Sequence, residues 1–492
     1  MVRRSLTRAL SLAAAVALAL AAGACRESNT GEVKVVAIGG EPRLVDPYSA
    51  PVSPGDGLLL ANVAQGLVRF DAAGNIVGGL AERWNVSDDG LSYIFRIAAT
   101  DWQDGRKVTA QQVARFLKRS ISAGSRNPLK DTLGAVEDVV AMTDRVIEIR
   151  LRAPRPNLLA LLAQPEFAVI RGGAGTGPFA LQQAHGPADE LRLTREELSE
   201  DEVTRRDEVL LAGAPAEGAV RDFAADKLDL VLGGTFADLP LAQRARLPRN
   251  SLRFDPAMGL FGLVPVRAGG PLDEADVRHL LSQSIDRDAF IDALRVPGLA
   301  PRATLLQPAL EGVPDPAPLP WAETPLAQRR PALQAEAQRL FGDDKRPTLR
   351  IFLPQGPGGD LLLARLQADW GVLGITVERA RSAATADLKL VDAVAPSTSP
   401  AWFVRQFRCG EAPICDEEAD KMMETARDTL IPVLRGGLLL QAAARIDAAQ
   451  LFIPISAPVR WSLVDGRIQG FAGNRYARHT LTDLLQKATP GG

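Results

Sequence analysis

The stretch GLAERWNVSDDGLSYIFRIAATDWQDGRKVTAQQV (residues 79–113) carries a regular structural pattern. Its segment LSYIFRIA (91–98) alternates apolar and polar residues directly after an Asp-Gly turn, which predicts a half-buried antiparallel strand. Further on, Thr109 and Gln112 have the spacing of a helix capping box, and apolar residues then recur at helical spacing. The stretch therefore predicts a strand, a turn and an amphipathic helix.

Strand and helix patterns also alternate elsewhere along the chain. The segments TLRIFLP (348–354), GDLLLARLQADWGVLG (359–374) and ITVERA (375–380) predict a β-α-β unit. Near the end, WSLVDGRIQGF (461–471) predicts a hairpin through an Asp-Gly turn. The fold class is therefore expected to be α/β.

The first 24 residues have the composition of an export signal. A cationic start is followed by the apolar run ALSLAAAVALALAAGA (9–24), which is short for a membrane-spanning helix, so we expect cleavage. The small residues before Cys25 resemble a bacterial lipobox, in which the cysteine is lipidated, although Ala22 stands where such motifs usually have Leu. The alternative is ordinary signal cleavage that leaves Cys25 as a free thiol.

The charge of the chain argues against nucleic-acid binding. Loss of the signal segment removes three arginines and no acidic residue, so the net charge moves from −2 to −5. Such a chain carries no basic footprint for nucleic acid. The remaining residues are sufficient for about three domain-sized units with a large core.

The other two cysteines, Cys409 and Cys415, lie close together in RCGEAPIC. Near cysteines across a Gly- and Pro-containing loop are expected to form a disulfide in an oxidising compartment. The C-x5-C spacing, with no histidine close in sequence, is not a usual metal pattern. We therefore expect a loop disulfide, and neither a metal nor a cofactor.

The glycine-rich stretch RGGAGTGPF (171–179) raises the question of a phosphate-binding loop. Such a loop needs a lysine after its last glycine, whereas Pro178 and Phe179 follow here. The glycines are instead expected to let the backbone bend as it returns from an inserted subdomain. The motifs G-x-S-x-G, S-x-x-K and H-E-x-x-H are also absent from the sequence, so we expect no enzyme.

The residue order at 79–113 resembles the family 5 extracellular solute-binding proteins, the peptide- and nickel-binding components of ABC importers. That family carries a stretch of the form LA-x-x-W-x-x-S-x-DG-x-x-Y-x-F-x-[LI]…W-x-DG-x-x-x-TA-x-x-V. The resemblance continues in the family's order through further segments. These are GTGPF (175–179), VRHLLSQSIDRDAFI (277–291), LQADWGVLGITVE (366–378), and AAARIDAAQLFIPI with GRIQGFAGN (442–474).

The resemblance implies a two-lobed periplasmic-binding-protein fold of the large cluster C type, which closes around its ligand. Lobe one would comprise residues 33–48, 170–262 and 467–492, with an inserted subdomain at 49–169. Lobe two would cover 263–466, and residues 25–32 would form a lipidated tether.

Regions that match the family also provide candidate ligand contacts. The candidates are Tyr48, Trp402, Arg43, Asp46, Met258 and Arg405. The aromatic pair among them either stacks on a ligand or fills the core. Peptide binders of the family usually carry an Asp in a DY-x-x-P segment, where it pairs with the peptide's amino terminus. The corresponding segment here is APSTSP (395–400), and Pro396 takes the Asp position.

The resemblance implies a lipid-anchored protein of the periplasm or cell envelope. It would act as a monomer that captures a peptide or peptide-like solute and delivers it to an ABC permease. The scarcity of histidine argues against nickel as the ligand. Two alternatives stay open: an envelope sensor or chaperone-like protein on the same fold, and an exported hydrolase.

Overall fold

A computed structural model of the chain describes residues 32–183, 190–198, 204–342, 346–482 and 484–486. The signal segment and Cys25 lie outside the described residues. The fold contains two mixed sheets, one in each lobe. The lobe-one sheet has the spatial order Leu252–Phe254, Arg460–Val464, Leu230–Thr235, Val33–Ile38, Thr204–Ala214, Leu191–Leu198 and Ala180–Gln183.

The lobe-two sheet contains the β-α-β unit that the sequence predicts. Strands Thr348–Phe352 and Thr376–Arg379 pair in parallel, and helix Pro357–Gly371 connects them. This arrangement confirms the prediction from the apolar pattern. The spatial order of the lobe-two sheet is Thr376–Arg379, Thr348–Phe352, Leu388–Val394, Gly259–Pro265 and Ile453–Ser456.

A smaller antiparallel sheet forms the centre of a subdomain inserted in lobe one. Tyr93 and Phe95 are buried in its strand Ser92–Ile97, as the alternating pattern predicts. The capping box is also present, because Thr109 accepts a hydrogen bond from the Gln112 amide and the Gln112 side chain accepts one from the Thr109 amide. The sheet has the order Ala81–Val86, Ser92–Ile97, Val146–Leu151 and Val136–Thr143.

Helices pack against each of the three larger sheets, and a separate two-stranded sheet pairs Val68–Phe70 with Ile76–Gly78. The α-helices of the described residues are Pro54–Val63, Ala110–Ser120, Leu158–Leu162, Ala216–Ala224, Leu239–Arg244, Ala275–Ser284, Arg287–Leu294, Leu326–Phe341, Pro357–Gly371, Pro400–Arg405, Glu417–Asp428 and Pro432–Ala448. Within that same part of the chain, no helix is long and apolar enough to cross a bilayer.

The chain crosses between the two large sheets at residues 255–258 and again at 457–459. The lobe boundaries predicted from the sequence, 262/263 and 466/467, both lie further along the chain than these crossings. The first differs because strand Gly259–Pro265 pairs with lobe-two strands along its length. A continuous apolar run such as GLFGLVP identifies a buried strand but not the sheet that it joins.

The expected hairpin at 461–471 is wrong. Strand Arg460–Val464 pairs instead with Leu230–Thr235 and Leu252–Phe254 in lobe one. The next short strand, Ile468–Gln469, pairs with Leu485–Gln486. The Asp465-Gly466 dipeptide is present in the sequence. However, the strands on its two sides each pair with another strand, so they do not pair with each other.

The glycines of RGGAGTGPF serve two different structural purposes. Gly173 lies in a turn with a φ of 77°, a left-handed conformation that favours glycine. Gly177 has no such requirement, but its amide donates to the Val63 carbonyl at 3.0 Å. A Cβ atom on Gly177 would lie 2.5 Å from the backbone nitrogen of Ala64. The stretch therefore packs its backbone against the end of helix Pro54–Val63.

We expect the substitution Gly177→Ala to lower the free energy of unfolding by about 1–3 kcal/mol, because the added methyl overpacks a rigid backbone contact. Gly437→Ala is the matched control, since Gly437 lies inside helix Pro432–Ala448 with open space around its Cβ position. That control should be neutral or slightly stabilising. Urea unfolding of both variants measures the difference, and equal stabilities would contradict the close approach.

Candidate functional site

A cavity of about 200 Å³ lies between the inserted subdomain and lobe two. Both bodies contribute walls, so the cavity exists only where the two surfaces face each other. The lining residues are Asp131, Thr132, Gly134, Ala135, Arg155, Asn157 and Leu161 of the insert, and Ser397, Ser399, Ala401, Trp402, Val404, Arg405, Arg408, Met423, Glu424, Ala426, Arg427, Arg435 and Leu439 of lobe two.

The insert wall is formed where the strand Val146–Leu151 ends and a proline-broken segment leads to helix Leu158–Leu162. Prolines in APRPN keep this segment out of regular structure. The hydroxyl of buried Tyr93 donates to the Arg155 carbonyl at 2.9 Å and fixes the segment to the insert sheet. Arg155 and Asn157 are thereby held in the cavity wall.

The lobe-two wall is formed by the helix Pro400–Arg405 and the two helices that follow it. Trp402 packs edge-on against buried Phe403, with ring centroids 5.0 Å apart. A disulfide between Cys409 and Cys415, with an S–S distance of 2.06 Å, closes the loop after this helix. This is the cysteine pair that the sequence predicts, and it limits the freedom of the chain next to Arg405 and Arg408.

Hydrogen bonds join the two walls around the cavity. Asn157 donates to the Ser397 hydroxyl at 3.0 Å. Gln164 donates to the carbonyl of Pro396 at 2.8 Å. Asn157, Gln164 and Ser397 are all buried, so water does not compete for these bonds. The contacts hold the insert and lobe two together in a closed arrangement.

Positive charge dominates the cavity lining. Burial, and then the neighbouring Arg435, lower the pKa of Arg155 to about 9. Burial also lowers the pKa of Arg405 and that of Arg435, against the opposing effects of Asp131 and Glu311. Each shift has the same physical cause, which is that a guanidinium is removed from water without a carboxylate in direct contact.

Two of the predicted contact residues, Trp402 and Arg405, lie at the cavity. Tyr48 and Asp46 lie elsewhere, beside Arg119 of the insert. The Arg119 guanidinium stacks 4.6 Å from the Tyr48 ring centre and forms a 2.8 Å ion pair with Asp46. Through Arg119, Tyr48 and Asp46 therefore connect the first loop of lobe one to the insert.

The other two predicted contacts are also outside the cavity lining. Arg43 has an exposed side chain, and its backbone amide donates to Asp56 at 2.7 Å. Met258 lies at a chain crossing, packs against the lobe-two core and accepts a hydrogen bond from Ala395 through its carbonyl. Sequence reasoning missed Arg155 and Arg435, whose chain positions carry no motif.

No cluster of three or more histidine, cysteine or carboxylate side chains arranged to hold a metal ion occurs in the ranges that the structure covers. The lining offers guanidinium groups, hydroxyls and one amide around an aromatic ring. These groups can bind and orient a small polar molecule.

Comparison with known proteins agrees with this architecture. The sequence model of the bacterial extracellular solute-binding proteins, family 5 Middle, matches residues 75–398. A probable di/tripeptide-binding protein 5 of Pseudomonas aeruginosa (strain UCBPP-PA14) is 25% identical over 483 residues, which cover 86% of this chain and 89% of that protein.

Two solved structures share the fold. The Escherichia coli murein tripeptide binding protein MppA has a TM-score of 0.78 at 17% identity, over 92% of this chain and 98% of that one. Haemophilus influenzae OppA in complex with RPPGFSPFR has a TM-score of 0.76 at 18% identity, over 93% of this chain and 99% of that one. With the family match spanning most of its length, this chain belongs to family 5 of the bacterial extracellular solute-binding proteins.

Proposed function

We propose that this chain is a lipid-anchored extracytoplasmic binding protein that encloses a peptide or peptide-like solute and delivers it to an ABC import permease. The observation that carries the proposal is the cavity between the insert and lobe two, with hydrogen bonds joining its walls. A ligand that contacts both walls favours the closed form, because it binds that form more tightly than the open one.

The size of the cavity favours a short ligand. Its volume of about 200 Å³ is below the roughly 300–1,000 Å³ of most drug-sized ligand sites. Among the relatives, a probable di/tripeptide-binding protein and a murein tripeptide binding protein are named for short peptides, whereas the OppA structure holds the nine-residue RPPGFSPFR. We therefore infer a ligand of about the size of a di- or tripeptide.

A thermal-shift screen tests the ligand class. Short peptides should stabilise the purified chain, and a ligand at 100 times its dissociation constant adds about 2.7 kcal/mol to the free energy of unfolding. Sugars and divalent metals serve as controls and should give no shift. A shift with sugars alone would rule out the peptide assignment, and the absence of any shift would favour the sensor or chaperone-like alternative.

Closure can be tested at the Asn157–Ser397 hydrogen bond. We expect Asn157→Ala and Ser397→Ala each to weaken binding of the best tripeptide from the screen by about fivefold, the equivalent of about 1 kcal/mol. Because the bond joins the two walls, the double variant should lose little more than either single variant. Calorimetric titration measures the cycle, and fully additive losses would show that the two groups act independently.

Lipid anchoring depends on Cys25. In bacterial cells that express the whole chain, the native protein should fractionate with membranes, whereas Cys25→Ser should leave the protein in the soluble envelope fraction. Two lipid chains with an amide-linked third give stable attachment, so the contrast should be nearly complete. The double variant Cys409→Ser, Cys415→Ser is the control, since it removes the disulfide cysteines, leaves no unpaired thiol between them and does not change the tether. Equal membrane fractions for native protein and Cys25→Ser would exclude the anchor.

A further inference from the structure

The charges that line the cavity are strongly unbalanced. Five of the lining residues are arginines, and only Asp131 and Glu424 are acidic. Both acidic side chains are exposed at the rim. The arginines are Arg155 on the insert wall and Arg405, Arg408, Arg427 and Arg435 on the lobe-two wall.

Arg155 is the most deeply buried of these arginines, at 8% exposure. Its guanidinium donates to the carbonyls of Pro154 and Arg427, and both acceptors are neutral backbone groups. A guanidinium has five donor hydrogens, so donors remain for a further acceptor. A buried cation is normally accompanied by a carboxylate or another anion.

Arg435 stands across the cavity from Arg155 and lacks a direct partner. No side-chain hydrogen bond or ion pair joins it to another residue in the described ranges, and its attraction to Glu311 acts at longer range. Arg405 donates to the backbone carbonyl of Asp131, its one side-chain hydrogen bond within the part of the chain that the structure describes. In contrast, Arg427 pairs with Asp428 at 3.6 Å and Arg408 reaches Glu411 at 4.0 Å.

Among the described residues that line the cavity, no buried carboxylate is available for a free amine. Pro396 presents a carbonyl that Gln164 already occupies, and Ser397 and Ser399 are neutral. The chemistry of the lining therefore matches an anion, and guanidinium groups suit the planar or tetrahedral oxygen arrays of carboxylates and phosphates.

We propose that the cavity binds an anionic group of the ligand, a carboxylate or a phosphate, between Arg155 of the insert and Arg405 and Arg435 of lobe two. This inference rests on the proposed role of the cavity as the ligand site. It specifies that the charge of the ligand, rather than a free amino terminus, is the feature recognised.

Matched pairs of tripeptides, titrated calorimetrically into the whole mature chain, test the proposal. Trialanine against its C-terminal amide reports on a terminal carboxylate. The amides of Ala-Glu-Ala and Ala-Gln-Ala report on a side-chain carboxylate, and the amides of Ala-phosphoserine-Ala and Ala-Ser-Ala report on a phosphate. At least one anionic member should bind about tenfold more tightly than its neutral partner, as expected for a charge-assisted contact.

Arg435→Gln should remove most of that preference, because it deletes a cation that has no structural partner. Arg435→Lys should keep part of it. Arg330→Gln, an exposed position on the lobe-two helix Leu326–Phe341, should leave the preference unchanged. The unfolding midpoint of each variant shows that the fold is retained.

The outcomes separate the two proposals. Peptides that bind without any preference for charge would overturn the anion site and leave the peptide-binding function standing, as would a preference that survives Arg435→Gln. If no peptide binds, citrate serves as the probe. Binding of citrate that Arg435→Gln abolishes would support the anion site and refute the peptide assignment, whereas no binding of citrate would overturn the anion site as well.

Discussion

The Arg460–Asp392 ion pair lies beside the chain crossings that join the two lobes. Arg460 begins a lobe-one strand and contacts the Asp392 carboxylate of lobe two at 2.7 Å. Both side chains are largely buried, and burial raises the pKa of Asp392. Phe236 of lobe one meets Phe261 of lobe two edge-on, with centroids 4.8 Å apart. The two lobes are therefore packed tightly against each other beside these crossings.

The sequence predicted the parts of the fold that local interactions determine. The capping box at Thr109 and the β-α-β unit at 348–380 depend on neighbours within one turn or one short connection, so the patterns were sufficient. The boundary at 262 and the hairpin at 461–471 were wrong for a common reason. The partners of strands Gly259–Pro265 and Arg460–Val464 lie far away in the chain, and no single segment encodes them.

Sequence patterns predicted less of the candidate site than of the fold, because the site also depends on residues far apart in the chain. Trp402 and Arg405 were predicted because their segment resembles a known family. The structure then places both residues in the cavity wall. Arg155 and Arg435 come from a proline-broken loop and from the first turn of a helix, in positions where a surface arginine is ordinary. Only the folded chain brings them to one cavity, so their significance depends on tertiary structure. Tyr48 and Asp46 have side chains that could contact a ligand, but in the fold Arg119 stacks on Tyr48 and forms an ion pair with Asp46.

If the cavity closes around its ligand as proposed, the arginines that line it would influence closure. Arg155 lies on one wall and Arg435 on the other, and each positive charge disfavours the other when the walls meet. If the cavity opens and closes as proposed, this repulsion would be lost on opening and would favour the open form of the ligand-free protein. An anion between the walls would attract both cations at once, so the electrostatic interaction across the cavity would become favourable. A neutral molecule of the same shape would leave the repulsion in place. Because a ligand shifts a conformational equilibrium only by its difference in affinity for the two states, the arginines would make ligand charge a condition of closure.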